Sequence, residues 1–237
     1  MILATNVTKK FGKLTALDSI SLSCNKGESI ALIGPNGSGK TTFIKCLLGM
    51  VVADSGFITF NNQNIKLDWR YRSRIGYMPQ TGRFPENMTI AQVIDMMKDI
   101  RKSFTTGLDE ELVGQFGLDK MMDKRMRTLS GGTRQKVGAC LAFMFQPDVL
   151  ILDEPTAGLD PIATEILKEK IRKEKLNGKL ILISSHVLSD LDDIITEVIY
   201  MQDGKLNFHK SFEQLKQDTG EVQLSKAIAR VMKSSNP

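Results

Sequence analysis

Eight consecutive residues constrain this chain more than any others: Gly34, Pro35, Asn36, Gly37, Ser38, Gly39, Lys40 and Thr41. They spell G-x-x-x-x-G-K-T between a near-continuous apolar run over 28–33 and a helical pattern over 40–48 that ends at Gly49. A run apolar on both faces reads as a strand buried in a parallel sheet. The motif therefore occupies a strand-to-helix turn, the context in which it cradles phosphate. Its glycines let backbone N–H groups approach phosphate oxygens without side-chain obstruction, and the helix start adds unpaired donors and a positive dipole end. Gly34, Asn36, Gly37, Ser38, Gly39, Lys40, Thr41 and Thr42 are the expected nucleotide contacts. Lys40 should reach the β- and γ-phosphates, and the Thr41 hydroxyl should serve a Mg²⁺ ion.

A second element follows downstream: Val149, Leu150, Ile151, Leu152, Asp153, Glu154 and Pro155. An apolar strand ending in two acids places Asp153 beside the metal and directs Glu154 toward the γ-phosphate, where it can polarise water. The competing reading is a helix N-terminus whose dipole favours the acids. Together the two elements predict Mg²⁺-dependent hydrolysis of a nucleoside triphosphate.

The rest of the chain organises around them. Residues 16–23, 56–60 and 74–77 read as strands in the first part. Near residue 87 the apolar period changes. Ile90, Val93, Ile94 and Met97 form the stripe of a helix capped by Thr89. Helical pieces are expected over 108–116 and 118–124, and a longer helix after Ser130-Gly131-Gly132 to about 145. Strand–helix alternation then resumes: strands over 149–152 and 179–184, and helices over 161–175 and 187–195. A hairpin spans 198–208 around Asp203-Gly204, and two short helices follow residue 211. The prediction is one α/β domain over 1–237 with a parallel core sheet. Its core and β subdomain occupy about 1–86 and 146–210, a helical subdomain 87–145, and a tail 211–237.

Composition narrows the class without naming a function. The net charge of +5 is spread among mixed signs. The densest basic run, 168–179, is interrupted by Glu169 and Glu174 and reads as a solvated helix face rather than a site for an anionic partner such as nucleic acid or lipid headgroups. Cys24, Cys46 and Cys140 have no metal-ligand spacing and read as reduced, buried thiols. No window has the length and apolarity of a membrane helix, and the opening residues lack a signal-peptide pattern. Of the 12 methionines, eight lie between Met78 and Met144. Adaptable packing explains them better than a soft-metal site.

Leu129-Ser130-Gly131-Gly132-Thr133, standing between the two phosphate-site elements, completes a pattern that resembles the ABC-type ATPases. These are the nucleotide-binding subunits of ABC transporters, and the likeness runs from about residue 2 to 210. It implies a P-loop NTPase fold with a RecA-like parallel core sheet, an antiparallel β subdomain and an inserted helical signature subdomain. It further implies that Phe11 stacks on adenine, that Gln80 contacts Mg²⁺ and the attacking water, and that His186 contacts the γ-phosphate. Ser130, Gly131 and Gly132 would cap ATP held by a second copy of the chain, which Asp160 would face. Glu154, His186 and Gln80 are then the catalytic set, and Thr41, Gln80 and Asp153 the metal set. Thr133 departs from the family's usual glutamine, and Asn62 stands where a glycine is common. His209 has no such context and reads as a surface residue.

The resemblance implies ATP and Mg²⁺ as cofactors, a homodimer closed by ATP, and an integral membrane permease as partner, with no nucleic acid. Location would be cytoplasmic, on the inner face of the membrane. Only 27 residues follow Lys210, which suits the short cassettes of export-type permeases. Residues 71–80 and 83–89 further resemble the NosF-type ATPase subunits of nitrous oxide reductase maturation transporters. That implies copper- or sulfur-related cargo and a periplasmic accessory protein. A multidrug or lipid exporter is the alternative, and a soluble non-transport ABC ATPase the second.

Overall fold

The computed structural model describes residues 1–104 and 107–234; residues 105–106 of the expected helical subdomain and 235–237 of the tail lie outside the described residues. Three five-residue strands form its centre: β3 (Ser29–Ile33), β7 (Val149–Asp153) and β8 (Leu180–Ser184), with every residue buried. With β6 (Ile75–Met78), β9 (Glu197–Gln202) and β10 (Lys205–Ser211) they build a six-stranded sheet ordered β10-β9-β3-β8-β7-β6, parallel except for the β10–β9 pair. A second, antiparallel sheet is ordered β2-β1-β4-β5, from β1 (Ile2–Phe11), β2 (Leu14–Cys24), β4 (Ser55–Phe60) and β5 (Gln63–Asn64).

Strand alternation explains how these pieces share one core. In β3, Ile30 and Leu32 face a cluster containing α1 (Lys40–Leu47) and the antiparallel sheet, while Ala31 and Ile33 face the helices on the other side. In β7, Val149 and Ile151 join the first cluster and Leu150 and Leu152 the second. Each fully buried Leu or Ile contributes about 1.5–3 kcal/mol relative to exposure, so both faces of the central sheet are anchored. This is why the strands read as unbroken apolar runs.

The inserted helices are set by their caps. At the start of α2 (Ile90–Arg101), Gln92 N donates to Thr89 Oγ1 at 3.2 Å while Thr89 N donates to Gln92 Oε1 at 3.0 Å. This reciprocal pairing satisfies two otherwise unpaired donors. Ser130 caps α4 (Gly131–Met144) and Asp160 caps α5 (Pro161–Leu176), where Pro161 starts the helix. The proline ring sets a helical φ where no N–H is needed. α6 (Phe212–Thr219) and α7 (Leu224–Ser234) form the tail.

Four expectations need correction. Residues 187–195 are not a helix: a 3₁₀ turn, Leu188–Asp190, is followed by turns. Val187 N donates to Ser185 Oγ at 3.0 Å, and that hydroxyl donates to Val187 O at 3.2 Å, which diverts the backbone from helical bonding. The pieces expected over 108–116 and 118–124 shrink to α3 (Glu111–Gln115) and a 3₁₀ turn, Leu118–Met121, separated by Gly117 at φ +66°.

The basic run over 168–179 is not wholly solvated either, because the Lys170 side chain is 1% exposed. Its Nζ lies 2.5 Å from Asp109, 2.8 Å from Glu111 and 3.1 Å from Glu174. His209 is half-buried rather than freely exposed: its side chain is 21% exposed beside Glu197, and burial lowers its pKa. The cysteines are buried and free, and burial pushes the Cys46 thiol up to about 11 and Cys24 to about 12, so none is a ready thiolate. Met78, Met126 and Met144 are buried in the helical-side cluster, and Met88, Met97, Met121 and Met122 pack against it. No described helix is long and apolar enough to cross a membrane.

Candidate nucleotide site

The C-terminal ends of β3, β7 and β8 open onto a cleft of about 330 Å³. The turn from β3 into α1 forms its floor. Gly37 and Gly39 hold φ of +80° and +100°, conformations that disfavour a side chain, and Gly39 caps α1 with its backbone alone. Asn36, Gly37, Ser38, Gly39, Lys40, Thr41 and Thr42 all line the cleft. Gly34 does not. A Cβ there would lie 2.0 Å from Met201 O and 2.7 Å from Ser38 Oγ, so this glycine permits the loop to pack on β9.

Lys40 is 8% exposed and held by its own loop, its Nζ donating to Gly34 O at 2.7 Å and Pro35 O at 3.1 Å. Burial lowers its pKa, and the nearby charges of Glu154 and Asp153 oppose that shift. The arrangement leaves a cation at the cleft floor, ready for an anionic ligand.

The β7–β8 pairing places Asp153 opposite Ser184. The Ser184 hydroxyl donates to Asp153 Oδ1, and Glu154 N donates to Ser184 O at 3.0 Å. Glu154 sits at φ +53°, a sparsely populated conformation for a side-chain-bearing residue. The carboxylate is thereby aimed across the strand ends. Its Oε2 accepts from His186 N at 3.1 Å, and its Oε1 lies 3.2 Å from His186 Nε2. Strain of this kind persists where surrounding contacts over-determine the backbone. Asp153 and Glu154 are 5% and 8% exposed, whereas His186 is exposed.

Phe11, Gln80 and His186 line the same cleft from β1, the end of β6 and the end of β8. The Phe11 ring is 50% exposed, with Lys9 Nζ 5.4 Å from its centroid. Leu14 and Ala16 of β2 also line the cleft. The sequence reading missed them, and it missed Ser184. The alternation of β2 could have suggested the first two; for Ser184 the signal was a hydroxyl two residues before His186.

Ser130, Gly131, Gly132 and Asp160 are outside this cleft. Gly131 and Gly132 open onto a separate cavity of about 580 Å³, beside Ala157, Gly158 and the segment 80–84. Gln80 lines both cavities. Ser130 Oγ accepts from Thr133 N at 3.2 Å and lies 2.9 Å from Thr133 Oγ1, so the departure at 133 supplies a second hydroxyl at the cap. Asp160 accepts from Ala163 N at 2.9 Å and pairs with Lys136 of α4 at 2.8 Å.

A family profile described as ABC transporter matches residues 17–157. The chain belongs to the ABC transporter ATP-binding family. The lantibiotic transport ATP-binding protein SrtF of Streptococcus pyogenes is 33% identical, over 90% of this chain and 92% of its own. The Nod factor export ATP-binding protein I of Ralstonia nicotianae is 31% identical, over 83% of this chain and 63% of its own. Neither relative is named for copper or nitrous oxide reductase. A solved ATP-binding subunit of an ABC transporter superposes with a TM-score of 0.90 at 24% identity, covering 98% and 99% of the two chains. A nucleotide-free ATP-binding cassette gives 0.77 at 26% identity, covering 96% and 98%. The ABC ATPase fold accounts for both sheets, and as a member of this family the chain is an ATP hydrolase and an ATP-binding subunit of an ABC transporter.

Proposed function

We propose that the chain binds MgATP between two copies of itself and uses its hydrolysis to drive an export-type membrane permease. One observation carries the reading. The phosphate loop, Lys40, Asp153, Glu154, Gln80 and His186 share one cleft, while Gly131 and Gly132 of the same chain line a separate cavity. A second copy supplies Ser130, Gly131 and Gly132 as backbone donors at a helix start, and ATP brings the negative charge that joins the two faces.

In this reading Lys40 leaves the loop carbonyls for the β- and γ-phosphates, and Phe11 offers its face to adenine. Glu154 releases His186 Nε2 and orients the attacking water, and His186 turns to the γ-phosphate. The donors suit a hard cation: the Thr41 hydroxyl, the Gln80 amide and the Asp153 carboxylate are all oxygen ligands. Among the described residues no cluster of three or more His, Cys, Asp or Glu could hold a metal alone, which fits an ion shared with phosphate oxygens and water. When bound, Mg²⁺ neutralises charge developing on the phosphates. Hydrolysis removes the bridging charge, the dimer opens, and the helical segment 87–145 transmits the change through Gln80 to the permease at the membrane's inner face.

The cargo reading divides in two. Residues 71–80 and 83–89 support a copper- or sulfur-containing species for nitrous oxide reductase maturation, with a periplasmic accessory protein acting through the permease. Relatives named for lantibiotic transport and Nod factor export support a general exporter. Stimulation of the chain–permease complex by one cargo class and not the other decides between them. The core proposal is tested by Glu154→Gln. With ATP and Mg²⁺ this variant should accumulate as a dimer by light scattering with phosphate release nearly abolished. Turnover close to wild type would refute the role of Glu154.

A further inference from the structure

Segments 66–74 and 98–104 meet on one side of the molecule, away from the nucleotide cleft. Trp69 meets Phe104 edge-on with ring centroids 6.0 Å apart. Arg101 ties the segments together, donating to Ser73 O and Ile75 O at 3.1 Å each. The contact does not bury the apolar groups: Trp69 remains 59% exposed, Leu67 84% and Ile100 62%. Large apolar side chains left in water on two segments that meet mark an interaction surface.

The charge beside them is net positive. Segment 66–74 carries Lys66, Arg70, Arg72 and Arg74 against Asp68. Segment 98–104 adds Lys98, Arg101 and Lys102 against Asp99. From elsewhere, Asp148 pairs with Arg74 and Glu110 with Lys98. Seven bases against four acids leave a surplus of three, more than half of the chain's net +5. Lys66 and Lys102 have no ion-pair partner among the described residues. A protein interface core is depleted in lysine, whereas tryptophan interleaved with lysine and arginine is the composition of a membrane–water interface.

We propose that this patch docks on the anionic headgroup layer of a bilayer, with Trp69 and Leu67 entering the headgroup zone and Lys66 and Lys102 facing lipid phosphates. The contact is made by the chain itself, so it is tested without the permease and stands or falls separately from the transport reading. Trp69 is the sole tryptophan, which makes its emission a direct report on the patch.

The full chain is mixed with vesicles of phosphatidylcholine alone or containing phosphatidylglycerol, and followed by co-sedimentation and tryptophan emission. The expected result is partition onto the phosphatidylglycerol vesicles only, with a blue shift of the emission. Raising salt from about 0.1 M to 1 M shrinks the screening length from ~10 Å to ~3 Å and should release the protein. The double variant Lys66→Glu/Lys102→Glu should bind at least about tenfold more weakly, while its ATPase activity in solution is unchanged. Equal partition onto both vesicle types, no partition onto either, or co-sedimentation without an emission change would each overturn the proposal. So would recruitment of this face by a permease in neutral lipid alone, which would make it a protein interface.

Discussion

Replacing Lys170 with methionine keeps most of the side-chain volume and removes one buried charge, so it isolates the ion cluster beneath α5. The ammonium is 1% exposed and touches Asp109 and Glu111, from the segment leading into and starting α3, and Glu174 one turn along its own helix. Burial alone would lower its pKa, but the hydrogen bonds it donates to Asp109, Glu111 and Glu174 outweigh that and raise it. In Lys170→Met, three carboxylates face one another around an apolar centre. Glu111 keeps Lys173 and Glu174 keeps Lys179, while Asp109 has no other ion-pair partner among the described residues. Breaking a buried pair by removing one partner costs about 3–5 kcal/mol, because the opposite charge is left uncompensated.

For a chain of this length, 1 kcal/mol corresponds to roughly 2–4 °C in Tm, so Lys170→Met should melt roughly 6–20 °C below wild type at neutral pH. The assay is calorimetry across pH. Acidification neutralises the stranded carboxylates, so the gap between variant and wild type should narrow toward pH 4. Lys170→Met combined with Asp109→Asn, which removes the stranded charge but keeps an acceptor for Glu111 N, should recover part of the loss at neutral pH. An unchanged Tm, or a deficit of the same size at every pH, would mean that the cluster is not held by charge.

Three further outcomes follow from local geometry. Gly34→Ala should displace the phosphate loop and weaken ATP binding, because its Cβ meets Met201 O at 2.0 Å; Gly37→Ala, with nothing within 4 Å, should cost only about 1–2 kcal/mol of backbone strain in a thermal melt. Hydrogen bonds from Lys170, then Lys173, hold the Glu111 carboxyl down to about 2 against its ordinary 4.5. Its contribution is therefore complete above the ordinary value and is lost as pH falls through about 2, which acid unfolding of wild type against Glu111→Gln should reveal as about 1–2 kcal/mol after solvent screening. Asp160→Ala should lower Tm through loss of the α5 cap, whereas Asp160→Asn, which keeps an acceptor for Ala163 N, should stay near wild type.

What was legible in the sequence was whatever a short local pattern encodes. The runs at 28–33 and 149–152 announce strands buried on both faces, and Thr89 announces a helix start, because each signal lies within one turn or one strand. The 187–195 segment misled because its apolar spacing is helical while its polar groups are committed elsewhere. Thr156 Oγ1 donates to Asp190 at 3.2 Å, and Leu224 N donates to Asp192 at 2.8 Å. Lys170 misled for the same reason: the run around it looks solvated until α3, distant in sequence, brings Asp109 and Glu111 against it. The ten-residue β1 was not individually read, since its inward residues Ile2, Ala4 and Val7 fall out of strict alternation where its pairing with β2 shifts register.

The same division between local and distant partners explains the nucleotide cleft. Every charged group in it already has a partner supplied by the fold: Lys40 has the loop carbonyls, Asp153 has Ser184, and Glu154 has His186. None of these contacts is visible as a motif, because each joins residues from different strand ends or bends a side chain back on its own loop. They keep buried charge tolerable in the absence of ligand. They also set what ligand binding must replace. A triphosphate that takes Lys40 from Gly34 and Pro35 exchanges neutral acceptors for charged ones, a gain that a neutral ligand cannot match. Selectivity for an anion thus follows from what the loop gives up.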